Sequence, residues 1–135
     1  MQTEVLYGNG LRTSYTYDER SQLTGMETVL PGMSNPLFRS TYAYDANGCR
    51  ISKTEQIRMD ATTPLKVMET CYTYESMERL TEENYHTADG ASTKKLHYAY
   101  DVYNRNVSVT GDDFTQKNHY DAEGYRDSIT EKDKF

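Results

Sequence analysis

The chain has 135 residues, with 21 Asp and Glu against 15 Lys and Arg, for a net charge of −6. That length bounds it to one domain or part of one. Its charges are scattered without a basic block, which excludes the Lys/Arg-rich face that nucleic-acid binding needs, and no run is apolar enough to insert in a membrane as a helix. A mean hydropathy of −0.91 would suit a disordered chain, yet there are 13 tyrosines, and aromatics are scarce in disorder. A tyrosine ring buries a large area while its hydroxyl still asks for a partner or water. The expected core is therefore thin, with wet faces.

Met1-Gln2-Thr3-Glu4 carries neither the basic nor the apolar region of a signal peptide. The chain is read as staying where it is made, or as a segment of a longer exported protein. Gly8-Asn9-Gly10 is the first breaker. Then comes Tyr15-Thr16-Tyr17-Asp18, and near copies follow at Tyr42-Ala43-Tyr44-Asp45, Tyr72-Thr73-Tyr74-Glu75 and Tyr98-Ala99-Tyr100-Asp101. Asn118-His119-Tyr120-Asp121 is a worn fifth copy. A phrase that recurs at a step of 20 to 30 residues marks a repeat array, residues 1–135 forming one, with phrases near 15–23, 42–51, 72–80, 98–107 and 118–129.

Within each phrase the two rings are two residues apart, so a strand puts them on one face, whereas a helix would set them on opposite sides. The intervening Thr16, Ala43, Thr73 and Ala99 are small or β-branched, and Tyr and Thr suit a pleated surface. The acid that follows opens a turn. Asp45-Ala46-Asn47-Gly48 and Asp121-Ala122-Glu123-Gly124 match a type I turn with glycine in the left-handed position. The other copies place Ser21, Glu78 and Asn104 there. Asn tolerates that conformation, and the turns at Ser21 and Glu78 are expected to be looser or of another type.

Alternating runs start again after each turn, at Leu23, Arg50, Leu80, Asn106 and Arg126. Further breakers send the chain back at Pro31-Gly32 with Asn35-Pro36, Asp60 to Pro64, Asp89-Gly90 and Gly111-Asp112. Short alternating runs between turn signals predict an all-β array of antiparallel hairpins, about a dozen strands in an open, twisted and curved sheet. No helix is expected, either near Met59 or over Glu75 to Glu83. Cys49 and Cys71 fall on flanking strands. A chain reversal near Ala61 to Thr63 would bring them together, and two partly buried free thiols are favoured over a disulfide.

The stretch Tyr42 to Arg50 reads Tyr-x-Tyr-Asp-x-x-Gly-x-Arg. It resembles the YD repeat of the Rhs, teneurin and insecticidal toxin-complex proteins, over about Tyr15 to Thr130. The departures are Glu75 for Asp, Asn118 for the first Tyr, and no Gly in three of the five copies. The resemblance implies hairpins joined side by side into a long sheet that spirals into a hollow shell around a toxin or other C-terminal cargo. This chain would supply part of the shell wall, as an exported, cell-surface or secreted bacterial protein. The Pro/Asp-Pro-rich core segment that precedes the family's shell plug has no match here. The resemblance therefore brings neither a toxin domain nor a self-cleavage site.

No cofactor, metal or catalytic set is expected. His86, His97 and His119 lack metal-ligand spacing, and no nucleophile or P-loop signature occurs. Asp112-Asp113 is one acidic turn, short of the ligands calcium needs. Asn106-Val107-Ser108 matches a glycosylation sequon but lies in a strand-like run.

The structural motif residues are Tyr15, Tyr17, Asp18, Tyr42, Tyr44, Asp45, Gly48, Tyr72, Tyr74, Glu75, Tyr98, Tyr100, Asp101, Tyr120, Asp121 and Gly124. The expected function is a non-catalytic scaffold. Its partners would be the remainder of a longer YD-repeat chain, or itself through edge strands, and a protein cargo. The alternative is a carbohydrate-binding module of a surface protein, with a glycan facing Tyr85, Tyr103 and Tyr125, which lie outside the phrase.

Overall fold

The structure, a computed structural model, describes residues 2–58, 62, 64–90 and 93–133. Met59 and most of the expected reversal from Asp60 to Pro64 lie outside the described residues. Eleven strands are found and, among the described residues, no helix. They are β1 (Glu4–Leu6), β2 (Arg12–Tyr17), β3 (Leu23–Val29), β4 (Phe38–Tyr44), β5 (Arg50–Ile57) and β6 (Lys66–Tyr74). The remainder are β7 (Leu80–Thr87), β8 (Thr93–Tyr100), β9 (Asn106–Thr110), β10 (Phe114–Tyr120) and β11 (Arg126–Asp133). Strand order follows chain order in an open sheet. The return strands start at the residues expected from sequence: Leu23, Arg50, Leu80, Asn106 and Arg126.

The chain divides into two compact units, Met1–Cys71 with His86–Ser92 and Tyr72–Tyr85 with Thr93–Phe135. In the first, β2 pairs antiparallel with β3 and β4 with β5, while β1/β2, β3/β4 and β5/β6 are the junctions between hairpins. In the second, β8 pairs with β9 and β10 with β11, and β9/β10 is a junction. The core is thin, as the composition implied. Val29 is the one buried apolar side chain among the described residues, and Thr13, Ser40 and Asn118 are the buried polar ones. Most other strand residues are half-buried, so the stability of each unit rests on ladders and on contacts between neighbouring hairpins.

All five motif turns share one backbone geometry. The N–H of the fourth residue donates to the carbonyl of the acid: Ser21 to Asp18, Gly48 to Asp45, Glu78 to Glu75, Asn104 to Asp101 and Gly124 to Asp121, at 2.9 to 3.1 Å. The acid's own N–H donates to the carbonyl four residues on, in every copy. This corrects the expectation for Ser21 and Glu78. Their turns are not looser or different: φ is 65° at Ser21 and 63° at Glu78, in line with 67° at Asn104 and with Gly48 and Gly124. The left-handed conformation costs a non-glycine residue roughly 1–2 kcal/mol. Here it is imposed by the two turn hydrogen bonds and the hairpin that each turn closes.

Candidate functional site

The motif acids are fastened inside their own turns. Asp18 Oδ1 accepts the N–H groups of Arg20 and Gln22, and Asp45 Oδ1 those of Asn47 and Cys49, all at 2.9 Å. Asp101 Oδ1 accepts from Tyr103 and Arg105 at 2.9 and 3.0 Å, and Asp121 Oδ1 from Tyr125 at 2.9 Å. Burial alone would raise the Asp101 pKa. The hydrogen bonds from the Arg105 backbone, the Arg105 side chain (2.8 Å) and the Tyr103 backbone outweigh it and hold the carboxyl below its ordinary value. Glu75 is too long for the same role. Its carboxylate pairs with the Arg79 guanidinium instead, and that hydrogen bond lowers its pKa.

A bulge follows each turn whose register is described. Tyr17 faces Leu23 while Thr16 faces Gly25, so Thr24 is extra; Ile51, Val107 and Asp127 are extra in the same way. A bulge leaves its strand locally out of the ladder. The junction ladders accordingly begin two residues into the return strand, with Gly25↔Thr41, Ser52↔Cys71 and Ser108↔Lys117. The first carbonyl of each return strand is left for another donor.

That donor is the hydroxyl of the second motif tyrosine in the next hairpin. Tyr44 donates to the Leu23 carbonyl at 2.7 Å, Tyr100 to Leu80 at 2.7 Å and Tyr120 to Asn106 at 2.6 Å. Tyr17 donates to Gln2 at 2.8 Å, where the partner strand is β1. Each such bond contributes about 1 kcal/mol net. The tyrosine thus uses its ring for area and its polar tip to close the gap that the bulge opens.

Arginines seal the same place. Arg50 lies 4.2 Å from the Tyr42 ring centre and 5.8 Å from that of Tyr44, so both rings of that phrase share one face. Arg79 lies over Tyr100 at 4.9 Å, and Arg105 over Tyr120 at 4.4 Å, each reaching the tyrosine of the following hairpin. Neighbouring turns are also tied: Arg20 donates to the Ala46 carbonyl at 2.6 Å, and Arg79 to the Asp101 carbonyl and Asn104 Oδ1 at 3.3 and 3.2 Å. Such cation–ring contacts contribute about 0.5–1 kcal/mol where exposed.

The remaining motif positions have local partners. Tyr98 donates to Glu83 at 3.0 Å; burial, then that hydrogen bond, pushes its phenol pKa up to about 12. Burial also raises Tyr100. Tyr15 faces Met26 in β3, while Tyr72 and Tyr74 end β6. Asn118, standing where the other phrases have their first tyrosine, is buried and donates to the Asn106 carbonyl and Oδ1 at 3.2 and 2.8 Å. Asn106, the sequon asparagine, is occupied by that contact and donates in turn to Ser108 at 3.1 Å. Arg50 closes the phrase read in the sequence, whereas Arg79, Arg105 and the Asn106–Asn118 pair carried no separate signal there.

The other candidates do not come together. Tyr85 is half-buried within β7, while Tyr103 and Tyr125 stand at turns, 76% and 73% exposed. Tyr103 carries Arg105 at 5.1 Å. His86 meets Glu69 at 3.1 Å, His97 meets Glu82 at 3.5 Å and His119 meets Thr130 at 3.3 Å. No group of three or more His, Cys, Asp or Glu gathers into a metal-holding cluster among the described residues. Cys49 and Cys71 are not joined in a disulfide; Cys71 stands opposite Ser52, and burial raises its pKa. A shallow depression of about 370 Å³ in the first unit is lined by Thr16, Gly25, Met26, Glu27, Arg39 and neighbours. Its two charges, Arg39 and Glu27, neutralise each other at 2.9 Å.

These features define an array of antiparallel β-hairpins joined by tyrosine hydroxyls. The crystal structure of TcdB2-TccC3-Cdc42 shares this fold, with a TM-score of 0.75 at 18% identity. That match covers 94% of this chain and 6% of the other, so the chain spans a small part of that protein's length. The Tc holotoxin pore of Photorhabdus luminescens, solved with a TccC3 mutation, also matches, at 14% identity and a TM-score of 0.35 over 94% of this chain and 10% of that one. No protein-family model and no curated protein matches the chain.

Proposed function

We propose that the chain is a non-catalytic scaffold, a wall segment of a YD-repeat shell that surrounds or presents a protein cargo. The observation that carries this reading is the repeated junction. Three second-position tyrosines hand their hydroxyl to the first carbonyl of the preceding return strand, and Tyr17 hands its own to Gln2, just before β1. Such a device extends a sheet; it does not converge on a centre. The fold shared with a toxin-complex structure supports the same reading. By that reading the motif residues act structurally, and the wider protein works in an exported or surface setting.

The test is deletion of the last hairpin, β10 and β11. A scaffold built from neighbour contacts keeps its other hairpins folded and loses a proportionate part of its urea m-value. Complete unfolding of the shortened chain would contradict the scaffold reading. The exposure of Tyr103 and Tyr125 favours a second reading, in which these rings stack on a glycan. A glycan array that binds the protein, but not its Tyr103→Ala, Tyr125→Ala form, would establish it. An array without a ligand would remove it.

A further inference from the structure

We infer that the outer edge of β11 is a preformed receptor for one kind of partner, an extended strand carrying Tyr-x-Tyr, added antiparallel in a fixed register. The inference rests on the scaffold reading and on a rule visible at the interior junctions. At β3/β4, β5/β6 and β9/β10, the residue three before the second tyrosine pairs with the residue two after the return strand's first: Thr41 with Gly25, Cys71 with Ser52, Lys117 with Ser108. At β1/β2 the offset holds when counted from the carbonyl that takes the hydroxyl: Tyr17 donates to Gln2, and Ser14 stands opposite Glu4, two residues on. Four junctions with loops of different length obey one register.

β11 is a return strand built like the others. It follows the same turn, starts at Arg126 opposite Tyr120 and carries the same bulge, at Asp127. Among the described strands its sheet neighbour is β10, and all eight of its residues are exposed. By the rule, an incoming strand sets the residue three before its second tyrosine against Ser128, and that tyrosine's hydroxyl falls on the Arg126 carbonyl. Side chains above and below are then matched by the incoming sequence.

The chain's own β8 sequence fits this edge. In the same register His97 faces Ser128, Leu96 faces Ile129, Lys95 faces Thr130 and Lys94 faces Glu131, an apolar pair and an opposite-charge pair. A second copy pairing β11 with β11 about a two-fold axis centred on Ile129 opposes Arg126 to Lys132 and Asp127 to Glu131, which are like charges across a ladder. Over that central self-pairing register an added Tyr-x-Tyr strand is favoured.

The experiment uses the full chain and a fluorescent synthetic peptide of residues 93–101. The expected result is saturable binding, with new amide-exchange protection from Ser128 to Lys132. The Tyr100→Phe peptide should bind about fivefold more weakly, the ratio that loss of one hydrogen bond of about 1 kcal/mol gives. Absence of binding up to about 1 mM, equal affinity of the two peptides, or protection at β1 instead of β11 would each overturn the inference. So would a free protein already dimeric with β11 amides protected. If Tyr100→Phe in the protein destabilises it while the peptide fails to bind, this inference falls and the scaffold reading stands.

Discussion

Replacing Tyr100 by Phe removes one oxygen and leaves the ring beneath Arg79. The lost bond is the 2.7 Å hydroxyl contact to the Leu80 carbonyl. A net hydrogen bond of this kind contributes about 1 kcal/mol, and the half-buried position lets water partly replace the donor, so the loss is not larger. For a chain between the 100- and 150-residue cases this lowers Tm by roughly 4 °C. With a urea m-value of roughly 2 kcal/mol/M, the midpoint falls by about 0.5 M. Tyr103→Phe is the control, because that ring is exposed at a turn and its change should stay within about 0.5 kcal/mol. Urea transitions followed by far-UV circular dichroism read both variants side by side. If the two midpoints coincide, the hydroxyl does not couple hairpins, and the reasoning about the junction fails.

Ser21→Gly and Glu78→Gly relieve left-handed strain, and each should raise stability by roughly 0.5–1 kcal/mol in the same urea assay; a loss would mean the turn is not strained. Arg79→Lys keeps the charge but gives up the planar fork between Glu75, Asp101 and Asn104. It should lower the urea midpoint, and an unchanged midpoint would show that the inter-turn tie is idle. Because Glu75 and Asp101 are held below their ordinary values, their stabilisation is complete above the unfolded carboxyl range. It is lost as pH falls below about 4, and Glu75→Gln should flatten that acid limb. Tyr98 behaves oppositely. Its raised pKa of about 12 favours the neutral phenol in the fold, so stability is lost as pH climbs from about 10 through 12. A phenolate absorbance titration should show one tyrosine ionising last, and Tyr98→Phe should abolish that step.

The repeat phrase made much of the fold legible, because strand alternation and the Asp-to-Gly turn are local rules. They placed the first residue of all five return strands. Ser21 and Glu78 escaped those rules, since backbone preference was outweighed by the two hydrogen bonds closing each turn. The role of the hydroxyls at Tyr17, Tyr44, Tyr100 and Tyr120 was not legible either. For Tyr44 and Tyr120 the acceptor carbonyl sits beside a bulge one hairpin earlier in the chain, and pattern reading does not see a bulge. Asn118 looked like decay of the phrase. With Asn106 it forms a local substitute, an amide pair bonded to the carbonyl that Tyr120 also uses. The exposed rings at Tyr103 and Tyr125 were foreseen as lying outside the phrase, whereas half-burial of Tyr85 depends on neighbours that spacing does not reveal.

Nuclear Overhauser contacts between backbone protons across the hairpin junctions test the constant register directly. The account expects Gly25 opposite Thr41, Ser52 opposite Cys71 and Ser108 opposite Lys117. A one-residue offset at any of these pairs would turn the tyrosine away from its carbonyl and contradict the account.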